Sequence, residues 1–97
     1  MDLRFVWDPR KAKSNARKYG VTFEEAQTVF LDEQALLISD PDHSEEEDRF
    51  VLLGSSARLR ILIVCHCYRE SESEVRLISA RKADSAEETE YLDRRRR

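Results

Sequence analysis

Two glycines and two prolines in 97 residues leave the chain almost without punctuation, which excludes a loop-rich scaffold and asks for regular secondary structure over most of its length. Long hydrophobic runs are missing too. The longest, Ile61 to Cys67, is broken by His66 and falls far short of the ~20 residues that span a bilayer, so no membrane helix is expected. The first residues, Met-Asp-Leu-Arg-Phe-Val-Trp-Asp, lack the basic start, apolar core and small-residue cleavage site of a signal peptide, and a cytoplasmic address is the expectation. Only two cysteines occur, Cys65 and Cys67, two residues apart in an apolar run where a bridge between them is sterically poor. On a strand His66 would point to the opposite face from both, so Cys65-His66-Cys67 reads as core or half-buried residues and no metal or other cofactor is expected. There is no Gly-rich phosphate loop, no Ser-His-Asp constellation, no zinc spacing and no pair of hydrolytic carboxylates.

What is present is charge, in blocks. The chain is 40% hydrophobic and 38% charged, too apolar for disorder, and its length fits one domain over residues 1–93. Its net charge of −3 hides a segregation. Residues 1–20 and 49–82 are basic, whereas Asp40 to Asp48 packs six carboxylates into nine residues and Asp84 to Asp93 adds five more. A basic patch on an acidic protein can still hold a polyanion, because screening confines the field to about 8–10 Å. The Asp40 to Asp48 run lacks the glycine and spacing of a calcium loop and reads as an exposed acidic loop. Arg94 to Arg97 is set apart as a basic, disordered tail.

The element pattern follows from caps and periodicity. Leu3 to Trp7 reads as a strand, followed by a helix over residues 9–19 with Asp8 as N-cap, Pro9 in the first turn and Gly20 as terminator. Ala12, Ala16 and Tyr19 mark its apolar face. Thr22-Phe23-Glu24-Glu25 reads as a capping box opening a second helix, stapled by Val21 and Ala26 and ending near Asp32. Four strands follow at Ala35 to Ser39, Phe50 to Gly54, Arg60 to Tyr68 and Glu74 to Ala80, with the third apolar on both faces as a central strand requires. Ser85-Ala86-Glu87-Glu88 caps a last short helix reaching about Asp93. The expected fold is α+β, ordered β-α-α-β-β-β-β-α, a mostly antiparallel mixed sheet with an N-terminal helical hairpin on one face. The other face is left open.

The meander projects Arg49, Arg58, Arg60, His66, Arg69, Arg76, Arg81 and Lys82. Arg76 interrupts the apolar Val75, Leu77 and Ile78, so it either faces a carboxylate or lines an anion site. His66 is either a satisfied core imidazole or a proton-transfer group. Several cations with one imidazole make a set suited to a phosphodiester.

Phe5-Val6-Trp7-Asp8-Pro9 with Lys11, Asn15 and Lys18 to Ala26, then Asp40-Pro-Asp-His-Ser-Glu, Gly54-Ser55-Ser56 and Arg76-Leu-Ile-Ser-Ala-Arg-Lys82, together resemble the BrnT family of ribonuclease toxins across nearly the whole chain. The chain departs from that family's pattern at Tyr19, where histidine is usual, and at Leu59, where glycine often precedes the arginine of the fourth strand. The resemblance implies a RelE-like fold and the toxin of a type II toxin-antitoxin system. Its activity would be metal-independent RNA cleavage by the 2′-hydroxyl, inhibiting translation. It also implies a DNA-binding BrnA-type antitoxin as partner, operator DNA reached through that antitoxin, and a heterotetramer of the two proteins. On this reading Arg76 and Arg81 hold the phosphate and His66 or Tyr91 moves a proton. Arg49, Arg60, Lys82, Lys11 and Lys18 bind substrate. The competing readings are a non-catalytic RNA-binding module and a protein-interaction module on the same basic face.

Overall fold

A computed structural model describes residues 3–39, 49–69 and 73–96 of the chain. The acidic run Asp40 to Asp48 and the terminal Arg97 lie outside the described residues. Strand β1 (Arg4–Val6) leads into helices α1 (Pro9–Tyr19) and α2 (Phe23–Gln27), the latter tightening into a 3-10 turn at Thr28–Leu31. Strands β2 (Leu36–Ser39), β3 (Arg49–Ser55), β4 (Ile61–Arg69) and β5 (Glu74–Lys82) follow, and helix α3 (Ser85–Arg95) closes the order. The five strands form one mixed sheet, β1-β5-β4-β3-β2, antiparallel except where β1 lies parallel to β5. The α+β class, the central position of β4 and the position of the helical hairpin agree with the sequence reading.

The caps explain the turns. Asp8 accepts from the Arg10 amide at 2.9 Å, and Gly20 ends α1 at φ 70°, a left-handed conformation that glycine adopts without a Cβ penalty. At α2 the Thr22 hydroxyl accepts from the Glu25 amide at 3.1 Å, but the box does not close. The Glu25 carboxylate turns away to accept from Ser56 Oγ at 2.7 Å and from the Arg60 guanidinium, a charge-assisted pair that outweighs one capping bond. A reciprocal box does form at α3, one residue earlier than expected, between Asp84 and Glu87. That helix also runs on to take in Arg94 and Arg95, which the sequence reading had assigned to a separate tail.

The hairpin buries Val21, Phe23, Ala26 and Val29 against Leu52, Leu62, Val64, Val75, Leu77 and Ala80, all on one sheet face. Of the apolar stripe expected at Ala12, Ala16 and Tyr19, Ala12 packs against this core, but the centre of the buried α1 face is polar. Asn15 is buried there while Tyr19 is exposed. The reason lies in the sheet: β1 pairs only with Glu74 to Arg76, so β5 has no neighbouring strand beyond that point. Asn15 replaces it, accepting from the Ala80 amide at 3.0 Å and donating to the Ala80 carbonyl at 2.9 Å. On the opposite face a smaller cluster of Leu53, Ile63 and Tyr91 seats α3.

One irregularity sets the functional geometry. Cys65 pairs with Ser79 but His66 pairs with Leu77, so β5 carries one extra residue, Ile78, in a bulge. Arg76 and Arg81 are five residues apart and would fall on opposite faces of a regular strand. The bulge restores both to the open face.

Candidate nucleic-acid interface

Registers across the open face define rows of side chains. Next to α3 lies Leu53, Ile63 and Arg81; then Val51, Cys65 and Ser79; then Arg49, Cys67, Arg76 and Val6; and last Arg69, Glu74 and Arg4. Rows two residues apart are separated by about 6.6 Å. Arg49 and Arg76 therefore flank the buried Cys67 from the two strands beside it, both half-buried, with Arg69 one row away. Arg69 Nε stands 4.0 Å from Glu74 Oε2, and Glu74 also pairs with Arg4. A cleft of about 340 Å³ opens beside this corner, lined by Val6, Trp7, Asp8, Arg69 and Arg76.

Arg81 is engaged elsewhere. Its guanidinium donates to both oxygens of Glu87, at 2.8 and 2.9 Å, which raises its pKa further and holds the Glu87 carboxyl below the ordinary carboxylate range. Its row lies four β4 residues from that of Arg76, roughly 13 Å, too far for both to grip one phosphate. The expected Arg76 and Arg81 pair is thus not brought together. Arg60 is likewise committed, to Glu25 and to the Gly20 carbonyl at 3.1 Å, joining the helical hairpin to the turn before β4. Lys82 is exposed and pairs in register with Leu62, on the hairpin side of the sheet. Lys11 and Lys18 are exposed on α1, and Lys18 Nζ lies 5.2 Å from the Tyr19 ring centre.

The two proton-transfer candidates lie away from the arginines. His66 has no exposed surface and projects to the hairpin side, its ring 4.8 Å from Phe30 and 5.4 Å from Tyr68 between centres. Burial pushes its pKa down while the Val64 carbonyl, 3.1 Å from Nδ1, pulls it back in part. Tyr91 is buried on the sheet-facing side of α3 and donates to Asp32 Oδ2 at 2.5 Å, with burial first and that bond second pushing its pKa up to about 12. Neither is placed to exchange a proton at the Arg49, Cys67 and Arg76 row.

Two lining residues escaped the sequence reading as site residues. Trp7 and Asp8 read as the end of a strand and a helix cap, and both roles hold, yet the same turn sets them at the cleft mouth. The parallel pairing of Val6 with Arg76 is what brings them there, and nothing local in the sequence encodes that long-range pairing. Among the described residues, no three His, Cys, Asp or Glu side chains form a group that could hold a metal ion. Nor is any described helix long and apolar enough to cross a membrane.

A sheet covered by the helical hairpin on one side, with α3 and rows of arginine side by side on the other, defines a small α+β domain with a polyanion-compatible face. The family profile described as "Ribonuclease toxin, BrnT, of type II toxin-antitoxin system" matches residues 7–87, and the chain belongs to that family. The fold is similar to the crystal structure of the Brucella abortus ribonuclease toxin BrnT, with a TM-score of 0.66 and 21% identity over 86% of this chain and 99% of that one. No curated protein sequence matches the chain.

Proposed function

We propose that this chain is a type II toxin with a RelE-like fold that cleaves RNA without a metal and is neutralised by a DNA-binding antitoxin of the BrnA type in a heterotetramer. In this reaction the 2′-oxygen bonds to the adjacent phosphorus, the bond from phosphorus to the 5′-oxygen breaks, and a cyclic phosphate and a 5′-hydroxyl remain. The phosphorane on the way carries an additional negative charge, and fixed cations stabilise it more than they stabilise the ground state. What supports this reading most is the row Arg49, Cys67 and Arg76, two guanidinium-bearing positions flanking one strand on the sheet face opposite the helical hairpin. Guanidinium forks match phosphate oxygens in a way that ammonium groups do not.

Arg76 is the phosphate anchor in this scheme, Arg49 its neighbour across β4, and Arg69 a flanking contact. Arg81 and Arg60 act indirectly by holding α3 and the hairpin to the sheet. The 2′ proton leaves to solvent and the departing 5′-oxygen takes one from solvent, so the scheme asks the protein for charge stabilisation rather than for an imidazole.

The deciding experiment incubates the purified chain with RNA in EDTA and maps the ends. Arg76→Ala should lower cleavage by about 100-fold or more, as loss of one charge-stabilising donor does elsewhere, while circular dichroism remains that of the parent. Full cleavage by a folded Arg76→Ala protein would remove Arg76 from the site. RNA bound but left whole by the parent chain would favour a binding module, with an affinity falling steeply in salt.

A further inference from the structure

We propose that the cleft at the end of β1 is a nucleobase subsite selecting guanine, a reading that rests on the RNA-cleaving assignment above. Its volume of about 340 Å³ sits at the lower end of ligand sites, which run from about 300 to 1,000 Å³, and suits one base with its phosphate. Three chemistries converge on it. Trp7 is half-buried, its ring packed into the hairpin-side core edge-to-face on Phe23 at 5.8 Å between centres, and its remaining exposed part lines the cleft as an aromatic contact for a base. Arg76 and Arg69 line the same cleft and supply cations for the phosphate attached to that base.

Asp8 is the discriminating residue. Its Oδ1 accepts from the Arg10 amide at 2.9 Å, and that is its one side-chain hydrogen bond among the described residues. A carboxylate accepts at about four lone-pair sites and donates at none, so most of its capacity remains for a ligand. The unpaired edge of guanine offers two adjacent donors, N1–H and the 2-amino group, which match a carboxylate two to two. Adenine and cytosine each place an acceptor beside their single amino donor, and uracil sets its one N–H between two carbonyls. A carboxylate beside any of those edges meets a repelling lone pair, which costs affinity for them and so selects guanine. A cap oxygen, needed to start α1, thus doubles as the reader of the base.

The test uses the full chain and uridine oligonucleotides carrying a single guanosine, inosine or adenosine, 2′-O-methylated so that they cannot be cleaved, with affinity read by fluorescence anisotropy. Guanosine should bind about 10-fold or more tightly than adenosine, with inosine, which lacks the 2-amino group, in between. Asp8→Asn keeps a helix cap and should bring the guanosine and adenosine affinities to within about 2-fold of each other. Trp7→Ala should weaken all three by about 5-fold or more and leave their ratio alone. Equal affinities in the parent chain, a preference that survives in Asp8→Asn, or no binding to any of the three would overturn the proposal. Cleavage of the unmethylated oligonucleotides, measured alongside, separates the two readings. Guanine-selective binding without cleavage supports the subsite and removes the ribonuclease assignment, whereas cleavage indifferent to base and to Asp8→Asn does the reverse.

Discussion

Leu59 occupies φ 61° in the turn between β3 and β4, where the Ser56 amide donates to the Arg60 carbonyl at 2.8 Å and the Leu59 amide to the Ser56 carbonyl at 2.9 Å. A side chain with a Cβ is held there at a cost of about 1–2 kcal/mol, and its 86% exposure means that it recovers little by burial. Glycine at this place removes the clash but loses about 0.5–1 kcal/mol through the freedom of its unfolded chain. Leu59→Gly should therefore raise stability by about 0.5–1 kcal/mol and Tm by a few degrees. Thermal melting would show it, and a lower Tm would mean that Leu59 makes a contact worth more than its strained backbone. Gly54 presents the opposite case. A Cβ there would stand 2.8 Å from Ala35 Cβ and 2.9 Å from Val29 Cγ1, so the glycine serves close packing of β3 beneath the 3-10 turn.

Elements in this chain were legible where a local signal fixes them. Asp8-Pro9 and Gly20 bracket α1, Thr22 starts α2, and alternating or continuous apolar runs mark the strands, all from interactions within four or five residues. What could not be read depended on partners far along the chain: the Ile78 bulge, the parallel docking of β1, and the choice of Glu25 to leave its cap for Arg60, 35 residues away. The candidate site suffered most from this. Its arginines were named, but their faces depend on the bulge, and Trp7 and Asp8 join them only through β1. Asn15 belongs to the same class, a polar residue at the centre of a helix face that becomes intelligible once β5 is seen to lack a neighbour. Asn15→Ala strands the buried Ala80 amide and carbonyl and should cost about 3 kcal/mol. Urea unfolding would measure the cost, and a loss under about 1 kcal/mol would mean that water or a shifted β1 takes over the edge.

The stability of the whole molecule should carry the signature of one imidazole. His66 is enclosed by Phe30, Phe50 and Tyr68 and lies below its ordinary pKa of 6.5 in the folded chain, chiefly through burial. Among the described residues its Nε2 has no hydrogen-bond partner, so a proton added there is buried without compensation from them. Between the unfolded and folded pKa values the unfolded chain binds a proton that the folded chain refuses, so stability is complete above about 6.5 and falls as pH drops below it. The limiting slope for one such group is about 1.4 kcal/mol per pH unit. Carboxylates contribute at lower pH. Glu25 is held below its ordinary 4.5 by Arg60, and Glu87 likewise by Arg81. Asp32, pushed up by burial, is pulled below its ordinary 3.8 by the Ser55 amide and the Tyr91 hydroxyl. Each adds stability that is present above its unfolded pKa and is lost only as pH falls through the folded value, below about 4.5. The interval from pH 6.5 to 5 therefore separates His66 from these carboxylates, and comparison with a variant lacking His66 separates it from His43. Unfolding free energies measured by urea across that interval should decline in the parent chain and stay nearly level in His66→Phe, which keeps the aromatic packing and removes the proton site. An equal decline in both proteins would show that His66 takes up its proton alike in the folded and unfolded chains, its enclosure opening to admit it.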